Sequence, residues 1–189
     1  MAVMLRKGEG VNLKKDAPNL DKVMIGLGWD PIRGFFGSNM DIDASVICID
    51  DKDACESIVY YGKLEHRSGA IKHQGDNLTG EGDGDDEQIM ITLSKIPSNV
   101  KKLSIIINIY QAYARHQHFG KVKNCFVRAV DMSTGKELVH YDVDGNFDGD
   151  TGIFVADIYR HNGEWKFKAI GNGVKVSDIS EMARMACRR

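Results

Sequence analysis

Residues 164–171, EWKFKAIG, set Trp165, Phe167 and Ala169 against Lys166 and Lys168. Strict alternation places apolar and charged side chains on opposite faces, the pattern of a strand with one wet face. Upstream, VMIGLGW (23–29) puts Val23, Ile25, Leu27 and Trp29 on one face, while Gly26 and Gly28 on the other leave room for a close neighbour. SIIINIY (104–110) reads as a strand buried on both sides. Similar runs recur at 45–50, 57–61, 88–93, 124–130, 137–141 and 153–160, separated by turn residues. Many short strands with few helices predict a mainly β fold, a two-sheet antiparallel β-sandwich. A C-terminal helix is expected where Ile179, Met182, Ala183 and Ala186 share a face, with Ser177 as cap and Asp178 and Arg188 matching the helix dipole. One or two short helical turns complete the expectation, one of them after Pro97.

At 189 residues and 42% hydrophobic, the chain builds one sizeable core, and nothing Pro-rich or of low complexity divides it, so a single domain over 1–189 is expected. The opening MAVMLRKGEG meets charge at once and lacks the apolar stretch of a signal peptide, and no run approaches membrane-spanning length. A cytoplasmic location without a transmembrane segment follows. Cys48, Cys55, Cys125 and Cys187 are far apart, mostly in apolar surroundings, and form no CxxC pair. Reduced, buried thiols are expected rather than a disulfide framework or a cysteine zinc site.

The stretch GDNLTGEGDGDDE (75–87) sets six carboxylates among four glycines. The chain carries 27 acids and 25 bases, so without these six the remainder holds 21 acids against 25 bases and is net positive. Like charges about 4 Å apart in water cost on the order of 1 kcal/mol per pair, and more once desolvated. An ordered loop of this kind needs a counter-charge. The EF-hand spacing fails, because Leu78 and Gly80 occupy ligand positions and Glu81 replaces the turn glycine. The composition nevertheless suits Ca²⁺, which takes six to eight oxygens. Carboxylates, the neutral oxygens of Asn77 and Thr79, and glycines that permit a wrapping backbone are all present. Mg²⁺ fits less well because it keeps its waters, and a solvated acidic turn is the bland alternative. In DIDASVICID (41–50), Asp41 and Asp43 share a strand face about 7 Å apart and could complete a cation cage.

The segments LRKGEGVNL, IGLGWD, DIDASV, HQGDNLTGEGDGDDE, FGKV and YRHNGEWKFKAIGNG occur in an order that resembles the TerD family of tellurite-resistance and stress-response proteins, from about residue 3 to 173. The resemblance implies a β-sandwich with calcium sites at one end, and a cytoplasmic role in stress tolerance through interactions with other stress-response and tellurite-resistance proteins rather than catalysis. Asp76, Asn77, Thr79, Gly80, Gly82, Asp85, Asp86 and Glu87 match the loop motif, and Asp41 and Asp43 match the DxDxS element. Glu81 and Asp83 fall where the family pattern is looser, and Asp30 follows Trp29 in the matching GWD. The metal set is therefore Asp41, Asp43, Asp76, Asn77, Thr79, Gly80, Glu81, Gly82, Asp85, Asp86 and Glu87. After GNG the chain departs from the family, ending in VKVSDISEMARMACRR.

Two alternatives belong to other classes. Related proteins have been described as cyclic-AMP-binding, and Arg115, His116 and His118 in RHQH could grip a small anion if they alternate along a strand. A metal-dependent hydrolase would need carboxylates that calcium has not saturated. No GxSxG, P-loop or HExxH motif is present, and no basic, aromatic-rich surface for nucleic acid is evident. DVDGNFDGD (142–150) opens as an EF-hand but carries Ile153 where a bidentate Glu is required, and reads as a polar hairpin turn.

Overall fold

A computed structural model describes residues 2–15, 17–30, 40–75 and 84–189. Twelve strands form the described framework: β1 (Val3–Met4), β2 (Gly10–Asn12), β3 (Lys22–Gly28), β4 (Ile42–Asp50), β5 (Cys55–Val59), β6 (Ile71–His73), β7 (Glu87–Thr92), β8 (Val100–Ile109), β9 (Phe126–Asp131), β10 (Lys136–Asp142), β11 (Gly152–His161) and β12 (Glu164–Val174). A helix, α1 (Ile179–Ala186), closes the chain, and short 3-10 turns cover Leu93–Lys95 and Phe119–Lys121. The expected turn thus precedes Pro97 instead of following it.

The strands make two six-stranded sheets, β1-β10-β9-β3-β7-β6 and β2-β12-β11-β8-β4-β5. Every pairing is antiparallel except β1 with β10, a parallel pair at the edge of the first sheet. The inward residues of both sheets share one core. Val23, Ile25 and Leu27 of β3 meet Ala44, Val46 and Cys48 of β4, with Trp165, Phe167 and Ala169 of β12 in the same cluster. The alternation of EWKFKAIG is therefore the division between core and solvent.

β4 is buried on both faces because its outer face is covered too. Ile47 and Ile49 pack there with Ile106, Phe154 and the Met182, Ala183 and Ala186 face of α1. Asp178, not Ser177, is the N-cap, accepting from the Glu181 N–H at 2.9 Å. The Glu181 carboxylate reaches back to the N–H and hydroxyl of Ser177. Both contacts satisfy groups that a bare helix start leaves open. The tail is fastened by Arg189 Nη2, which lies 2.7 and 2.8 Å from the Asp157 carboxylate oxygens. The closing segment after residue 173 thus builds the cover for β4.

The segment 143–151 joins β10 of one sheet to β11 of the other, so the expected hairpin at 142–150 is a crossing between sheets. A hairpin does join β9 and β10. Its turn is organised by Asp131, whose carboxylate accepts from the Ser133 N–H and hydroxyl and from the Thr134 hydroxyl at 2.7–2.9 Å. The Ser133 hydroxyl, with further help from that N–H and from Thr134, holds the Asp131 carboxyl below its ordinary value. A lowered carboxyl stabilises the fold above its unfolded pKa, and that contribution disappears as pH falls through the folded value. Asp131→Ala is expected to cost about 1–3 kcal/mol at neutral pH. The difference from the unaltered chain should shrink in acid, as urea unfolding at the two pH values would show.

Candidate functional site

The acidic stretch returns to the framework at Gly84–Glu87, where the ends of β3, β4, β7, β8 and β9 meet. Asp76, Asn77, Thr79, Gly80, Glu81, Gly82 and Asp83 lie outside the described residues. The described part of the expected set is Asp41, Asp43, Asp85, Asp86 and Glu87.

These five do different things. Glu87 starts β7 with its side chain buried between the sheets, and its Oε2 accepts from the Ala44 N–H of β4 at 2.6 Å. β5 ends at Val59 opposite Val46, so Ala44 lies past that pairing and its backbone takes other partners. His73 Nε2 stands 3.1 Å from the Ala44 carbonyl and 3.3 Å from Glu87 Oε2, while its Nδ1 accepts from the Gly75 N–H. That pattern fixes the Nε2–H tautomer. Glu87 and His73 thus tie the two sheets together beside Asp43, which is itself 3% exposed. Asp41, two residues earlier on the same strand face, has a side chain 15% exposed with Arg115 at 3.7 Å.

Asp85 points elsewhere. Its side chain lies on the outer face of β3, over Gly26, where an added Cβ would fall onto the carboxylate. Arg128 of β9, directly across from Gly26, donates from Nε at 2.7 Å and Nη2 at 2.9 Å, and Gln88 adds a third contact. Glycine at 26 is required by that approach, as the open strand face suggested. Gly28 has the same use, since Phe126 and the Gly84 carbonyl occupy its outer side. Asp86 accepts from the Trp29 N–H at 2.8 Å. Burial raises its carboxyl above the usual value, the Trp29 bond opposes this, and nearby Asp85 and Asp30 add to the rise.

Beside Asp86 opens a cleft of about 720 Å³ lined in part by Trp29, Asp30, Asp142 and Asp144. Asp30 is exposed there and accepts from the Asn124 amide. The structure therefore brings Asp41, Asp43, Asp86 and Glu87 to one end of the sandwich and anchors Asp85 to its flank. Among the described residues, these acids do not place three ligand atoms within 4.8 Å of one another.

The basic residues of RHQH do not alternate along a strand; they lie in the turns between β8 and the Phe119–Lys121 turn, and His116 has a φ of 51°. Arg115 faces Asp41 and lies over the Tyr110 ring, and His118 Nδ1 accepts from the Gly149 N–H. Of the thiols, Cys48 and Cys125 are buried as expected, and burial pushes both up to about 12. Cys55 is exposed and interacts with Cys187 at the end of α1.

The sequence pattern does not single out Arg128, whose place opposite Gly26 only the strand register supplies, or Glu56 of β5. No described helix is long and apolar enough to cross a membrane.

Comparison with known proteins bears on this site. The TerD domain family matches residues 1–185. "General stress protein 16U" of Bacillus subtilis (strain 168) is 46% identical over 176 residues, covering 92% of this chain and 91% of that protein. "Tellurium resistance protein TerD" of Serratia marcescens is 40% identical over 176 residues, with the same coverage of 92% and 91%. A crystal structure of a TerD homologue, SCO6318 from Streptomyces coelicolor A3(2), superposes with a TM-score of 0.72 at 21% identity, over 89% of this chain and 98% of that one. The last likeness concerns the fold alone.

Proposed function

Since the chain belongs to the TerD domain family, we propose that it is a calcium-binding protein of the tellurite-resistance and general stress-response type, working in the cytoplasm as one domain over 1–189. The observation that carries this reading is the pair of buried acids beside Ala44, Asp43 and Glu87, where the acidic loop rejoins the framework. A hard dication that takes six to eight oxygens is drawn to carboxylates gathered at one end of a fold. Asp41, Asp43, Asp86 and Glu87 would hold the ion from the framework side. Asp76, Asn77, Thr79, Gly80, Glu81 and Gly82 of the expected set would supply further oxygens, while Asp85 is clasped by Arg128.

Bound calcium supplies charge neutralisation. The neutralised end of the sandwich would present a surface to other stress-response and tellurite-resistance proteins. The site acts by binding rather than turnover, because carboxylates saturated by calcium are poor proton shuttles. Neither nucleic acid nor a catalytic cofactor enters this reading.

Calcium titration calorimetry on chelator-stripped protein, with magnesium as competitor, is the direct test. At free calcium 100 times the dissociation constant, coupling adds about 2.7 kcal/mol of stability. The melting temperature is expected to rise with calcium, and an Asp41→Asn, Asp43→Asn variant is expected to lose most of that rise. Equal melting curves with calcium and with chelator in the unaltered chain would overturn the reading.

A further inference from the structure

β5 carries one residue more than its partner strand accounts for. Cys48 lies opposite Ser57 and Ile49 opposite Cys55, so Glu56 is the extra residue of a β-bulge. Bulges re-aim side chains, and here the Glu56 carboxylate, 7% exposed, turns to His66, whose Nε2 is 2.8 Å away. The Cys48 sulfur, a Glu56 oxygen and a His66 ring nitrogen all lie within 4.8 Å of one another. Among the described residues, no other three His, Cys, Asp or Glu side chains do so. Three separate pieces of chain meet at this point: the middle of β4, the bulge of β5, and the turn after residue 65.

We propose that Cys48, Glu56 and His66 form a binding site for Zn²⁺. Thiolate sulfur, imidazole nitrogen and carboxylate oxygen are the donors zinc takes in tetrahedral sites. With ligands at about 2.0–2.3 Å from the metal, neighbouring donors stand roughly 3.5 Å apart, so the His66–Glu56 pair at 2.8 Å opens slightly and the Cys48 sulfur moves in by about 1 Å at most. One thiolate and one carboxylate cancel the two positive charges, which permits the ion in a place where Cys48 and His66 are 0% and 1% exposed. The surroundings hold the donors as metal sites hold theirs. Ser68 Oγ lies 2.8 Å from His66 Nδ1, and Arg67 pairs with Glu56 Oε1, leaving Oε2 toward His66.

The proton balance is simple. In the metal-free chain Nδ1 accepts from the Ser68 N–H and Nε2–H donates to Glu56. On binding, the imidazole proton moves to Nδ1 and donates to Ser68 Oγ, the Ser68 N–H turns from that nitrogen to water, and the Cys48 thiol proton leaves to solvent. Ser57 Oγ, buried and across the ladder from Cys48, is the next oxygen in reach for the fourth position. The absence of CxxC spacing does not bear on such a site, since only one ligand is a cysteine. It is also independent of the calcium reading, which uses other residues and other chemistry.

The test is a Co²⁺ titration of the chelator-stripped full chain, followed by Zn²⁺. One equivalent of cobalt is expected to give a thiolate charge-transfer band, displaced by one equivalent of zinc and unaffected by excess calcium. Cys48→Ser should abolish the band, and Ser68→Ala should weaken affinity about 10–100-fold by releasing the imidazole. Glu56→Gln, which keeps a hydrogen-bond acceptor for His66, should fold and bind more weakly; it serves if the core variant does not fold. No thiolate band in the unaltered chain overturns the proposal. So does a band that survives in Cys48→Ser, or one lost instead in Cys55→Ser, Cys187→Ser.

Discussion

Arg128→Met is expected to destabilise the protein by about 3 kcal/mol or more, the range found when one partner of a buried ion pair is removed. Asp85 has a side chain 0% exposed and depends on the two guanidinium bonds at 2.7 and 2.9 Å. Methionine keeps the length of the stem and removes every donor. Among the described residues, Gln88 at 3.2 Å is then the remaining partner of that carboxylate, and a neutral amide does not offset its charge. Arg128 is itself 31% exposed, so solvent moderates the loss toward the lower end of the range. Urea unfolding measures the cost. Adding Asp85→Asn to Arg128→Met should recover much of it, because the buried charge has gone; an Arg128→Met chain as stable as the original would show that water reaches Asp85.

Gly26→Ala is expected to cost about as much by a different route. The new methyl would occupy the position of the Asp85 carboxyl group, in a strand paired on both sides by β7 and β9. The strands cannot part without breaking two ladders, so Asp85 must leave and take its bonds to Arg128 with it. Overpacking of this kind costs about 1–3 kcal/mol, and the lost ion pair adds to it. Asp85→Ala in the same chain removes the collision and should restore part of the stability, giving a strongly non-additive cycle. Calorimetry on the single variant should also show weakened calcium binding, since Asp86 and Glu87 follow directly on the displaced residue.

The long strands were legible because their side chains obey a period of two over six residues or more. β12 and β3 show it in plain alternation, and β8 in a run too apolar for a half-exposed strand. β1, β2 and β6 escaped because two or three residues are too few to establish a period. Gly26 and Gly28 announced a close approach but not its occupant, since the partner of Gly26 comes from a loop and is held by a residue of β9. Glu56 was invisible for a related reason: a bulge interrupts the period that makes a strand readable. The crossing at 142–150 looked like a hairpin because turn chemistry is local, whereas the sheet to which the next strand belongs is decided far away.

The bond between Glu87 and the Ala44 N–H has one more consequence. At 2.6 Å to a carboxylate oxygen, that amide proton is expected to be deshielded and its resonance to stand apart from the strand amides around it. On the proposed function, a cation arriving at Glu87 would withdraw electron density from the same carboxylate and relax the deshielding. The Ala44 amide resonance would then report the electrostatic state of the site without a label or a substitution.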